Sequence, residues 1–259
     1  MIAALHIHVG LRDEISYLKK CYFSPPFKLA DITENRRQKW LHLMQMSSSP
    51  GILDGDQFEI KIELDQNCHL QLHTQSYQRL FSMKSGAKQH MEVFLDKGAS
   101  LIYLPHPGVP QENSNFTSRS KIHLAENCEL IWGEIITCGR KLNGEVFKFS
   151  KYHAITEVYT NKRLKIKENI CLVPVGNDLA AIGMLEGFTH QASLIFLKNG
   201  IDKNSLIDKV KDYLSSEPDI LFGVTPAPES GLLVRILGNK SEQLMNALKK
   251  ITKIFKEDI

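Results

Sequence analysis

The chain has little of what an enzyme or a secreted protein would carry. Its five cysteines, Cys21, Cys68, Cys128, Cys138 and Cys171, include no C-x-x-C pair. Their spacing therefore spells neither a thiolate zinc site nor a disulfide framework. An odd number of scattered thiols predicts reduced cysteines and a cytoplasmic protein. Met1 to Gly10 holds two histidines and no basic n-region, so it is not expected to act as a signal peptide. No apolar run approaches the roughly 18 residues of a membrane span, and no membrane partner is expected. Aromatic residues make up only 8% of the chain, and 32 basic residues stand against 29 acidic ones. That balance leaves no footprint for nucleic acid. H-E-x-x-H, G-x-S-x-G, G-x-G-x-x-G and the phosphate-cradling G-x-x-x-x-G-K-[ST] are all absent, so any nucleotide hydrolysis must come from another protein.

What is present is a repeat. LDQNCHLQL, LDKGASLIY and LAENCELIW begin at Leu64, Leu95 and Leu124, spacings of 31 and 29 residues. Each copy joins an alternating strand to a second strand through a polar corner. Asn67, Gly98 and Asn127 share one place in that corner, and Asn and Gly are the residues that tolerate positive φ. A fainter fourth copy, IKENICL, spans Ile166 to Leu172. Units of fixed period stack because one alone cannot bury its apolar face. The expected fold is mainly β: a stacked-strand, β-helix-like body over 1–187. Strands are expected at Phe58–Leu64, Met91–Leu95, Ser120–Leu124, Val146–Tyr152 and Thr156–Lys167. Residues 188–259 read as a small α+β layer packed on that body. Its two helices are expected over Lys203–Leu214 and Glu242–Phe255, with a strand pair straddling Pro226–Gly231.

Few residues stand out chemically. Asp54 and Asp56 flank Gly55, a pattern that turn chemistry alone explains. Glu112 lies in the long loop Leu104–Phe116, and loops of that length are usually functional. Glu134 and Glu145 touch apolar strand segments, where a carboxylate must be paired, hydrated or used. Arg140 lies between them and could partner either. His6 and His8 would share one face of a strand, two ligands at most and so a weak metal site. No complete active site emerges.

SPPFKL (Ser24–Leu29), SSSPGILDGD (Ser47–Asp56), TQSYQRLF (Thr74–Phe81), YLPHPGVPQENSNF (Tyr103–Phe116) and EIITCGRKLNGEVFKFSKY (Glu134–Tyr152) together resemble the UreD (UreH) family of urease accessory proteins. The resemblance implies a non-enzymatic scaffold that docks a UreF-like protein. That protein recruits a UreG-like GTPase, and the assembly delivers nickel to apo-urease. It further implies an internal water-filled passage, with Asp56, Glu112, Glu134, Arg140 and Glu145 as candidates to line or gate it. No cofactor is expected to be tightly bound; nickel passes in transit. Oxygen ligands and water suit transit better than storage. The competing reading is a β-helix enzyme acting on polysaccharide, which would need paired carboxylates in an external groove. A cupin-like metalloenzyme would need convergent histidines that the spacing does not supply.

Overall fold

The computed structural model describes residues 1–228 and 230–257. Seventeen strands and two helices are assigned among them, in the order β1 (Ile2–Arg12), β2 (Ile15–Phe23), β3 (Phe27–Asp31), β4 (Trp40–Ser47), β5 (Gln57–Leu64), β6 (His69–Thr74), β7 (Gln78–Leu80), β8 (Ala87–Leu95), β9 (Ser100–Tyr103), β10 (Gly108–Pro110), β11 (Asn115–Leu124), β12 (Glu129–Ile136), β13 (Lys151–Thr160), β14 (Arg163–Leu172), β15 (His190–Leu197), α1 (Lys203–Ser215), β16 (Leu221–Pro226), β17 (Gly231–Gly238) and α2 (Ser241–Glu257).

The chain winds between two facing sheets, as the repeat predicts. Strands β5, β8 and β11 lie parallel in the first sheet, and β6, β9 and β12 lie parallel in the second. The first sheet runs β14-β13-β11-β8-β5-β1-β2 and the second β16-β17-β15-β12-β9-β6-β4-β3, with β7 and β10 paired beside it. Both sheets are mixed and open. The corner residues Asn67, Gly98 and Asn127 all have positive φ, at 59°, 70° and 56°. They are tied in a stack: the Asn67 amide donates to Lys97 O, and the Gly98 amide donates to Glu126 O. Leu70, Leu101 and Leu130 pair in register and are fully buried. This inward ladder is what a repeat near 30 residues produces when each coil sits above the last.

The core lies between the sheets because inward and outward positions alternate. Phe58, Ile60, Ile62 and Leu64 of β5 point in, while Gln57 and Glu59 face out. Strand β15 is buried at every position, because α1 and α2 cover the outer face of the second sheet. There Ile131, Phe196 and Val234 meet Val210, Leu248 and Phe255 in a second apolar cluster. Gly133 permits the approach of α2: a β-carbon there would sit 2.5 Å from Leu104 Cδ2 and 3.1 Å from Leu248 Cδ1.

Three expectations are corrected. Val146–Tyr152 is not a strand; β13 begins only at Lys151. Gly144 and Phe147 have positive φ, and the Phe147 amide donates to Cys138 O, so the segment folds back and buries Phe149 at the end of the body. Thr156–Lys167 is two strands, broken at Asn161-Lys162, where two successive positive φ values make a tight hairpin. The fourth copy, Ile166–Leu172, is no corner at all, since it lies inside β14, antiparallel to β13.

Candidate functional site

The space between the sheets is not sealed apolar core throughout. A cavity of about 140 Å³ enters between the 47–51 and 75–78 segments, where Pro50, Ser76 and Tyr77 are exposed, and runs inward to Glu134. That volume suits several waters. Its walls mix polar and apolar groups: Gln89, Ser118 and Ser120 from the first sheet, Gln45, Thr74 and Gln78 from the second, with Met91, Tyr103, Trp132 and Tyr152 among them. Gln78 Nε2 donates to Gln89 Oε1 at 3.1 Å, joining the two sheets across the cavity. His106 stands at the mouth, its Nδ1 2.8 Å from Thr74 Oγ1 and its ring beside Tyr77.

Glu134 is the inner carboxylate. It follows the parity of Leu130 and Trp132 on β12, so it points between the sheets. Trp132 Nε1 donates to its Oε1 at 2.9 Å and Thr156 Oγ1 donates to the same oxygen at 2.7 Å. Among the described residues no basic side chain pairs with it. Burial raises its pKa above the ordinary carboxylate range, while the Thr156 and Trp132 hydrogen bonds pull it down. Its field reaches two phenols: Tyr103 and Tyr152 titrate above their usual value, first through burial and then through Glu134.

The other candidates lie elsewhere. Glu145 is buried and held by Arg140, whose Nε donates to Oε2 at 2.9 Å and whose second guanidinium nitrogen contacts Oε1. The Arg140 hydrogen bond keeps the Glu145 carboxyl below its usual pKa. Arg140 therefore pairs with Glu145 and not with Glu134. Glu112 is exposed and contributes its backbone amide, 3.3 Å from Glu145 Oε2. Asp56 is buried in its turn, accepting the Leu53 amide at 2.8 Å and lying 3.0 Å from the Met1 ammonium. Asp56, Glu112, Arg140 and Glu145 gather at one end of the body, where the β5 and β11 strands begin, and none of the four lines the cavity. His6 and His8 lie on the outer face of the first sheet. His6 meets the Tyr22 ring and His8 Nε2 sits 2.7 Å from Asp65. Among the described residues, no three His, Cys, Asp or Glu side chains converge to hold a metal ion.

Sequence reasoning passed over the polar wall. Gln89, Ser118, Ser120 and Thr156 share the inward parity of Met91, Phe116, Ile122 and Val158. Polar residues at inward positions of strands that pair in register, Gln89 with Ser118 and Ser120 with Thr156, are the signal that would have revealed it.

Comparison with known proteins brings in a family. The family described as UreD urease accessory protein matches residues 1–259. A urease accessory protein UreD of Flavobacterium johnsoniae is 47% identical over 97% of this chain and 91% of its own length. The protein of the same name from Acetivibrio thermocellus is 38% identical over 96% and 95%, and that of Haemophilus influenzae 35% identical over 92% and 93%.

Proposed function

Because the chain belongs to the UreD family of urease accessory proteins, we propose that it joins a UreF-like and UreG-like GTPase complex to apo-urease and passes nickel through the cavity that ends at Glu134. The protein is an accessory factor, not an enzyme. The observation that carries the transit reading is Glu134 itself, an inward carboxylate that has no basic partner among the described residues and stands at the end of a cavity that reaches the surface. Such a group is expensive in dry core, and a passing divalent cation supplies the charge that the fold leaves out. Oxygen donors on the wall, with one imidazole at the mouth, hold nickel loosely enough for release. The polysaccharide-acting alternative loses its support, because Glu134 faces inward and the relatives are accessory proteins. The reading places the chain in the cytoplasm, where its five free cysteines stay reduced.

The test is urease activation in cells that carry Glu134→Ala or Glu134→Gln. Nickel per urease should fall with either variant while the accessory complex still assembles. Fully loaded urease alongside intact complexes would overturn the transit role of Glu134.

A further inference from the structure

The interior space does not stop at Glu134. On its far side is a small void of about 10 Å³, room for roughly one water, bordered by Ile136, Ile170, Gln191 and Ser193. Glu134 and Tyr152 line both spaces, so they form the partition between them. Two strand positions lead outward from the void. Glu168 is two residues before Ile170 on β14, on the same inward face. Arg235 of β17 pairs in register with Ser193 of β15. Arg235 Nη2 donates to Glu168 Oε1 at 2.8 Å, tying the edge of the first sheet to the second. Beside this pair lies an open groove of about 590 Å³, lined by Leu221, Phe222, Thr225 and Leu233, at the β16 edge of the second sheet.

We propose that the Arg235–Glu168 ion pair closes a second mouth of the interior path, opposite the one beside Tyr77, and that a divalent cation leaving past Glu134 opens it by taking the place of Arg235 on Glu168. This inference rests on the transit reading above. Three features suit the role. The pair lies one strand outward from Ser193 and Thr156 and lines the outside groove. Glu168 is largely covered while Arg235 is 57% exposed, so the arginine can swing into water without leaving a buried cation behind. Solvent reaches the pair from its arginine side and screens it there, which lets Arg235 yield to a doubly charged competitor. The exchange is of counterions on one carboxylate and breaks no covalent bond. Thr156, which donates to Glu134, pairs in register with Glu168, so the two carboxylates stand in neighbouring positions along the path.

The experiment reads the mouth directly. Ser193→Cys is introduced into the full chain with Cys21 and Cys171 replaced by Ser, leaving native thiols only at the buried Cys68, Cys128 and Cys138. Labelling of Cys at 193 by a small methanethiosulfonate is timed in this background, with Arg235→Ala, and with the swapped pair Arg235→Glu/Glu168→Arg. Labelling should be slow in the parent, several-fold faster with Arg235→Ala, and slow again with the swapped pair, each variant melting near the parent temperature. Equal labelling with and without Arg235 overturns the gate. Should Arg235→Ala lose its fold, Glu168→Gln serves in its place, and unchanged labelling with it overturns the gate equally. Faster labelling with unchanged nickel in urease would leave the gate standing and remove the transit reading on which its cargo rests.

Discussion

At the residue scale, Glu134 sets a conflict between stability and use. Its pKa is raised in the folded protein by burial, so the native state holds its proton more firmly than the unfolded chain. Stability from this group is therefore present below the unfolded carboxyl value and is lost as pH rises through the folded one. Glu134→Gln keeps an oxygen for Trp132 and Thr156 and never ionises. It should melt at a higher temperature than the parent near pH 7, with the gap closing in acid; thermal melts across pH 4 to 8 check this, and a gap that widens in acid contradicts it. Gly98 is a residue-scale constraint of another kind. With φ at 70° and the Asn67 side-chain oxygen in the space of a β-carbon, Gly98→Ala should cost about 1–3 kcal/mol, measurable by urea unfolding. Asn67, Gly98 and Asn127 were legible in the sequence because few residues accept positive φ. Glu134 was legible as an anomaly in an apolar run. Its partners were not, because Thr156 reaches it from a strand 22 positions away, a distance no local pattern spans.

At the element scale, register decides what each strand can contribute. The coils were readable because β5, β8 and β11 repeat one alternation, and stacking turns that alternation into a wall. The 145–150 segment was not readable. Its composition suits a strand, but Gly144 and Phe147 turn the chain, and burial of Phe149 outweighs local propensity. The same limit applied to Arg140, whose choice of Glu145 over Glu134 follows from that fold-back. On the other side of the second sheet, α2 is held by packing. Phe255 is fully buried and stacks on Phe196 with ring centroids 4.2 Å apart. Phe255→Ala should cost about 3–5 kcal/mol. Chemical denaturation should show that loss, and a loss below about 1 kcal/mol would mean that α2 contributes little to the second sheet.

At the scale of the whole molecule, two histidines contribute to the acid limit. Burial depresses both His73 and His190 to about 4, with neighbouring cationic groups adding to the effect. A histidine depressed in the folded state supports the fold above its unfolded value near 6.5 and loses that support as pH falls toward 4. Each should contribute on the order of 2 kcal/mol, less at His73 where solvent screens it. Stability should drop between pH 6.5 and 4, and His190→Gln should flatten part of that slope. The central claim is larger: the space between two stacked sheets is a route for nickel and not a packing fault. Ser118 points into that space from β11, and Ser118→Phe would fill part of it while leaving Glu134 and the Arg235–Glu168 pair unsubstituted. The most direct measurement is nickel per urease, by elemental mass spectrometry, from cells in which Ser118→Phe replaces the parent chain and its complexes are shown to be intact. The account predicts nickel-poor urease; fully loaded urease with the cavity blocked would contradict it.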